Sequence, residues 1–215
     1  MRRLSIVLMC SVVILSLSSF SFAMEDDNIY HTPRGNTAMM GMAIGHHQAW
    51  TLAFPAFFPM MEVRAGYSPM ENLQFRIDIG GGACHVSQSE VKSFEGATLL
   101  ILSAQLGIFW TPRISDSLTL RMGPTIGWWL TSMYGENLIG VTSGSLTDYL
   151  EADSQALGGI LGLDMDLSER WALSFEARYN SAGISLGGYQ TDSGGLTVFM
   201  GFVYRTKPWD LKPLD

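Results

Sequence analysis

The stretch that decides the fold is Trp171–Asn180, WALSFEARYN, in which apolar and polar side chains alternate one by one. The large apolar side chains, Trp171, Leu173, Phe175 and Tyr179, fall on one face of such a segment. The opposite face carries Glu176 and Arg178 between small polar residues. A period of two residues predicts a β-strand with one apolar face and one polar face.

Seven further stretches repeat this alternation on both sides of Trp171–Asn180. They are Asn36–Gly45, Met61–Tyr67, Leu73–Ala83, Leu100–Trp110, Leu118–Leu130, Leu157–Leu167 and Leu196–Arg205. Strands of roughly ten residues suit a tilted span of a bilayer. We therefore predict an all-β fold, an eight-stranded antiparallel up-and-down transmembrane β-barrel. Because proline cannot donate to a strand ladder, Pro124 predicts a bulge in the fifth strand.

The connections between these strands alternate in length. Short turns are predicted at Ser68–Asn72, Thr111–Ser117 and Ser168–Arg170, and long loops at His46–Phe58, His85–Ala97, Thr131–Gln155 and Ser181–Gly195. Outer-membrane barrels have short periplasmic turns and long extracellular loops. The pattern thus predicts that the short turns face the periplasm.

The N-terminus has the pattern of an export signal. Arg2 and Arg3 precede the apolar run Leu4–Leu17, and small residues at Ser21 and Ala23 form a cleavage site. We predict a signal peptide at 1–23, a periplasmic segment at 24–35, the barrel at 36–205 and a periplasmic tail at 206–215. The competing interpretation is a lipoprotein anchored through Cys10. The predicted location is the bacterial outer membrane.

Composition excludes several classes of function. With 13 basic and 20 acidic residues the net charge is −7, and no basic patch predicts binding to nucleic acid. Beyond the signal peptide Cys84 has no second cysteine for a disulfide. His85 and Ser87 form a His-x-Ser pair of the kind some lipid A deacylases use, but no acidic partner lies at useful spacing. His31, His46 and His47 match no metal motif. We therefore predict no enzyme activity, no metal and no cofactor.

A soluble barrel would show the same alternation with its faces reversed. Two features favour the membrane form. First, apolar-face aromatic residues cluster beside the short turns or the C-terminal strand end, as in an interfacial girdle: Tyr67, Phe75, Trp110, Trp171 and Tyr204. Second, the polar face is rich in glycine, which the narrow interior of an eight-stranded barrel needs beside its large residues.

The polar face also carries ten charged residues, and we predict that they form a salt-bridge network that plugs the lumen. They are Glu62, Arg64, Arg76, Asp78, Arg121, Asp164, Asp166, Glu176, Arg178 and Arg205. Five acids and five bases balance, and isolated charges in so confined a space would be costly. The alternative role is a gate or selectivity device.

The outer half of the same face is apolar. Met60, Ile101, Trp129, Ile160 and Phe199 are candidates for a pocket open to the cell exterior, and core packing in a closed barrel is the alternative. The first long loop carries no charged residue, and the other three are acidic, most of all the third with Glu136, Asp148, Glu151 and Asp153. An acidic crown would attract cationic or host-surface ligands at the loops.

From about Asn36 to Arg205 the chain resembles the small outer-membrane β-barrels, and within them the OmpW-like proteins. The resemblance rests on Trp171-x-Leu173-x-x-Glu176-x-Arg178-Tyr179 and on Arg121-x-Gly123-Pro124-x-x-Gly127. It implies a channel that passes small hydrophobic molecules inward, with lateral exit to outer-membrane lipid. The alternative function is a closed structural or adhesin-like barrel acting through its loops. The chain departs from many such barrels by lacking a terminal Phe.

Overall fold

The computed structural model describes residues 36–49, 56–86, 95–135, 149–186, 189–192 and 194–206. Eight long strands form the barrel: β1 (Thr37–Ala49), β2 (Ala56–Met70), β3 (Leu73–His85), β4 (Thr98–Trp110), β5 (Leu118–Tyr134), β6 (Tyr149–Asp166), β7 (Trp171–Ser181) and β10 (Gly195–Arg205). Two short strands, β8 (Gly183–Leu186) and β9 (Tyr189–Asp192), form a separate hairpin between β7 and β10. No helix in the described part of the chain is long and apolar enough to cross a membrane.

Every barrel strand pairs antiparallel with its neighbours in the chain, and β10 closes the barrel by pairing with β1. The closing register runs from Met39 opposite Arg205 to Ala49 opposite Gly195. One residue beyond β10, Thr206 donates its backbone N–H to the Ala38 carbonyl at 2.9 Å. The predicted eight-stranded up-and-down barrel is therefore confirmed.

The strands are longer at the outer end, the end with the long connections, than the alternation predicted. β2 begins at Ala56 and β6 at Tyr149, while β5 continues to Tyr134. Much of the predicted loops His46–Phe58 and Thr131–Gln155 is therefore strand, because β5 and β6 pair up to Tyr134 opposite Tyr149. The predicted signal peptide, the segment 24–35, the tail from 207 and the loop residues Glu136 and Asp148 lie outside the described residues.

The predicted bulge at Pro124 is wrong. Pairing of β4 with β5 stops after Gly107 opposite Thr125 and resumes in the same register at Trp110 opposite Met122. Proline removes a donor without inserting a residue, so the ladder is interrupted and the register is kept. A register shift occurs instead in the β2–β3 pair, between Tyr67 and Met70, beside Pro69.

The exterior of the barrel is apolar. Along β10, Leu196, Val198, Met200 and Phe202 are 36–55% exposed, whereas the alternate residues Thr197, Phe199 and Val203 are 1–2% exposed. Large apolar residues are exposed in the same way on the other strands, among them Ile77, Ile108, Ile126, Leu161 and Phe175. A continuous surface of this kind around a closed barrel is stable in lipid and not in water.

Aromatic residues mark the inner end, where the short turns lie. Trp171 and Tyr204 pair across β7 and β10, and their rings meet edge-to-face with centroids 5.2 Å apart. Trp110 is exposed at the end of β4 and Phe75 near the start of β3. Such rings stabilise a barrel at the boundary between hydrocarbon and headgroups.

Glycine lets the strands and side chains approach inside the barrel. At Gly201 an added Cβ would lie 2.1 Å from the Met42 carbonyl oxygen and 2.7 Å from the Ala43 Cα. At Gly107 it would meet the Phe109 ring at 2.0 Å. The predicted glycine-rich inner face therefore reflects space taken by the neighbouring strand or ring.

Candidate functional site: the charged and apolar layers of the lumen

The structure brings all ten sequence-predicted charges into one continuous network inside the barrel. Six strands contribute: β2 with Glu62 and Arg64, β3 with Arg76 and Asp78, β5 with Arg121, β6 with Asp164 and Asp166, β7 with Glu176 and Arg178, and β10 with Arg205. Each takes an inward position of its strand, and all but Asp166 are buried. The alternation that places apolar residues in lipid therefore also places these charges together.

Glu176 is the centre of the network. Its carboxylate contacts Arg76 at 2.8 Å, Arg121 at 3.0 Å, Arg178 at 2.6 Å and Arg64 at 3.5 Å. Four guanidinium groups around one carboxylate leave no part of its charge uncompensated. Buried ions are tolerated only with close partners and hydrogen bonds of this kind.

Three carboxylates, those of Glu62, Asp78 and Glu176, lie with one oxygen each within 4.8 Å of one another. This is the spacing of a cation site, but a guanidinium nitrogen already lies among them. Nη2 of Arg178 is 3.0 Å from Glu62, 2.8 Å from Asp78 and 2.6 Å from Glu176. Arg178 therefore supplies the positive charge that this triad requires.

A second branch runs toward the inner end. Arg121 binds both carboxylate oxygens of Asp164 through Nη1, at 3.1 and 2.9 Å. Arg205 continues the chain to Asp164 at 3.3 Å and to Asp166 at 2.7 Å. This branch joins β5, β6 and β10 across the lumen.

Sequence reasoning missed three uncharged members of the network. Ser174 accepts hydrogen bonds from Arg64 at 3.2 Å and Arg121 at 3.0 Å, and Gln105 accepts one from Arg178 at 2.9 Å. The Phe109 ring stacks on Arg76 with the guanidinium carbon 4.8 Å from its centroid. Their inward positions were visible in the alternation, but their contacts depend on which strands face each other.

The five candidate pocket residues are buried, and two of them, Ile160 and Phe199, lie opposite network residues in the strand register. Met60, Ile101, Trp129 and Phe199 belong to one packed apolar cluster that also contains Val86, Ala97, Leu99 and Met133. Ile160 is 5% exposed and pairs with Arg178 in the β6–β7 register. Phe199 also stacks on network arginines, with its ring centroid 5.3 Å from Arg64 and 5.1 Å from Arg178. The described residues thus show packing here, and an open pocket stays a prediction.

A contact across the lumen closes this apolar layer. The rings of His47 on β1 and Trp129 on β5 meet edge-to-face with centroids 5.2 Å apart. Nδ1 of His47 is held 2.8 Å from the Thr197 hydroxyl on β10. The two rings therefore tie together strands from opposite sides of the barrel.

The lipid-facing wall carries a groove of about 750 Å³ near the interrupted β4–β5 ladder. Its lining is almost entirely apolar and includes Ala65, Phe75, Ile77, Leu106, Pro124 and Ile126. The two strands remain close, since a Cβ at Gly123 would lie 2.0 Å from the Ile108 carbonyl oxygen. The groove is therefore a depression in the outer surface beside an unpaired stretch of backbone.

The arrangement offers no catalytic constellation among the described residues. His85 is exposed at the end of β3, and Ser87 lies outside the described part of the chain. The network carboxylates are all engaged by arginines. What the geometry can do is bind six strands together and fill the lumen.

Solved structures with the same fold are outer-membrane barrels. Neisserial surface protein A matches with a TM-score of 0.57 and 14% identity over 80% of this chain and 97% of its own. The outer membrane protein OprG from Pseudomonas aeruginosa matches with 0.54 and 16% over 83% and 99%. Ail, the attachment invasion locus protein of Yersinia pestis, matches with 0.51 and 11% over 80% and 99%. No protein-family model and no curated protein sequence matches the chain.

Proposed function

We propose that this chain, an eight-stranded β-barrel of the bacterial outer membrane, is a closed barrel that acts through its outer end and not by conducting through its lumen. The observation that carries the proposal is the ten-residue network, whose ion pairs run from Glu62 on β2 to Arg205 on β10. The proposal assigns the protein no enzymatic activity.

Two layers support the closed state. The network crosses the lumen at the level of Glu176. The apolar cluster, which includes the His47–Trp129 contact, extends from there toward the outer end of the barrel. A hydrated ion would have to separate paired charges in the first layer and enter an apolar environment in the second. Both steps are unfavourable in a low-dielectric interior.

The outer end offers the surface for interaction. The β8–β9 hairpin lies there, and β5 and β6 stay paired up to Tyr134 and Tyr149. Asp153 on β6 and Glu95 before β4 are exposed acids at the same end. These features support the hypothesis of a surface that attracts cationic partners in a salt-dependent manner.

Reconstitution in planar bilayers tests the closed barrel. We expect no steady conductance from the wild-type protein, because the network fills the lumen. Arg178→Ala, which removes the nitrogen shared by three carboxylates, is expected to produce flickering cation currents. Arg113→Ala, in the turn between β4 and β5, is the matched control and should remain silent. A steady wild-type conductance that persists in purified single channels would refute the proposal.

A second candidate function is inward passage of small hydrophobic molecules with lateral exit to lipid, as the resemblance to OmpW-like proteins implies. The observation that favours it is the apolar groove beside the unpaired backbone at Pro124. Liposome uptake of a fluorescent alkane derivative tests it. Ala65→Phe, which fills the groove, should slow uptake severalfold, whereas Ala104→Phe, on the lipid face outside the groove, should not. Equal uptake by both variants and by empty liposomes would dismiss this candidate.

A further inference from the structure

Within the part of the chain that the structure describes, three polar atoms in the apolar outer half of the lumen have no hydrogen-bond partner. They are the indole Nε1 of Trp129 and the hydroxyl oxygens of Thr131 and Ser154. The residues are 1%, 0% and 9% exposed. Buried polar groups in native proteins are nearly always satisfied, so three orphans on one patch require an explanation.

The three side chains share one stretch of the inner wall. Trp129 on β5 is directly opposite Ser154 on β6, and Thr131 is the next inward residue along β5. Side chains at opposed positions have Cβ atoms about 4.5–5.5 Å apart, and the diagonal neighbour is within reach of the same group. The three unsatisfied side chains therefore occupy adjacent inward positions of the β5–β6 wall.

The neighbouring polar group is already engaged, which separates this patch from its surroundings. Ser103 lies opposite Trp129 on the β4 side, and its hydroxyl is 3.5 Å from the Gly80 carbonyl oxygen. The other neighbours are Ile101 opposite Thr131, Met133 following it on the same face, and the His47 ring against the Trp129 indole. The patch is thus one indole donor and two hydroxyls in a wall that is apolar except for His47 and Ser103.

The chemistry of these groups selects the ligand. An indole N–H only donates, while a hydroxyl both donates and accepts. All three groups are satisfied by one oxygen that accepts a hydrogen bond from the Trp129 indole, donates one to the first hydroxyl and accepts one from the second. A carboxylate would bring an uncompensated charge into the apolar layer, and a cation would face the indole N–H. A neutral hydroxyl oxygen fits.

We propose that Trp129, Thr131 and Ser154 form a subsite for one hydroxyl oxygen of a neutral molecule that enters from the outer end. Water and the head of a small aliphatic alcohol share this chemistry. The proposal goes beyond the closed barrel, because a lumen that only seals the membrane needs no such subsite.

The Trp129 indole N–H resonance in lipid nanodiscs, assigned by its loss in Trp129→Phe, tests the subsite. We expect cross-relaxation with water and exchange of the proton within minutes, because the bound oxygen is renewed from outside. Added 1-butanol should shift the resonance saturably if the alcohol displaces water. A water cross-peak without a butanol shift identifies water as the occupant and still supports the subsite. A protected proton with neither effect overturns it.

Matched variants separate the subsite from general packing. Ser154→Ala and Thr131→Val should each reduce the water cross-peak at least twofold, while Ser103→Ala should leave it unchanged. A double-mutant cycle of Trp129→Phe with Ser154→Ala measures the coupling of the two side chains through the equilibrium constant of unfolding. Because one oxygen bridges the two side chains, the change in this constant for the double variant should differ at least threefold from the product of the changes for the single variants. An equal response of all three variants, or independent effects in the cycle, would contradict the proposal.

Discussion

At the residue scale, Arg178 is the position on which the charged layer depends most. One of its nitrogens contacts the carboxylates of Glu62, Asp78 and Glu176. Arg178→Ala leaves three carboxylates in close contact with one positive charge fewer, and removal of a buried partner costs about 3–5 kcal/mol. We expect the urea midpoint of unfolding in lipid vesicles to fall accordingly. A midpoint equal to that of Arg113→Ala would show that the network contributes nothing to stability.

Two glycines make a second test at this scale. Gly201→Ala places a methyl group 2.1 Å from the Met42 carbonyl oxygen, so backbone must move, and overpacking of this kind costs about 1–3 kcal/mol. Gly159→Ala is the control, because its Cβ would meet only the Gly123 carbonyl oxygen at 3.7 Å. Unfolding midpoints should drop for the first variant and stay within error for the second. Equal midpoints would mean that the strands are not packed as closely as described.

The identity of the charged residues was accessible from sequence, and their partners were not. Alternation assigned Glu176 and Arg178 to the inner face, because each strand has only two faces. That Glu176 contacts Arg121, 55 positions away, depends on the register and on which strands face across the lumen. Ser174 was missed for the same reason. A serine on the polar face of a strand gives no signal in the sequence, and its role depends on its hydrogen bonds with two arginines from other strands.

At the scale of the element, the lipid-facing side of β7 is the most informative. Phe175 is exposed midway between Trp171 and Tyr179, the two residues that bound the apolar face of this strand. Phe175→Arg should therefore destabilise the barrel by about 2–4 kcal/mol, the cost of arginine near the bilayer midplane. Phe175→Leu, which keeps the face apolar, should cost far less. Refolding yields and unfolding midpoints in vesicles measure the effect of both substitutions. Equal effects of arginine and leucine would contradict the placement of Phe175 in the bilayer.

Element boundaries show where sequence patterns lose information. The inner ends were predicted to within one residue, because turn residues and aromatic residues coincide there, except in β2, which continues three residues past Tyr67 to Met70. At the outer end the strands are longer than predicted. β5 and β6 continue beyond the part in which exposed apolar and buried residues alternate, and Ser132 is buried at a position that the alternation would place on the lipid side. The β8–β9 hairpin was missed entirely, because its four-residue strands are too short for a periodic signal.

Pro124 illustrates a choice that sequence alone does not make. A proline inside a strand is compatible with a bulge or with an interrupted ladder. Here β5 keeps its register against β4, and its other edge pairs Pro124 with Gly159. The continuous pairing on the β6 side fixes the position of the strand, so the missing donor leaves a local gap.

At the scale of the whole molecule, the same alternation has two consequences. It gives a barrel with an apolar exterior, and it concentrates charge and glycine in the lumen, where the network joins strands that are distant in sequence. Closure by β1 and β10 then leaves no strand edge in lipid, where unpaired backbone groups would be costly. The barrel and its charge network are therefore products of one pattern.

Spin labels placed singly along β10, in a Cys84→Ser background, test this claim most directly. Labels at 196, 198, 200 and 202 should collide with oxygen dissolved in lipid and not with a water-soluble nickel chelate, because these positions face outward. Labels at 197 and 203 should be shielded from both relaxing agents, because these positions are buried inside the barrel. Nickel access at the even positions would instead place the apolar face in water and contradict the account.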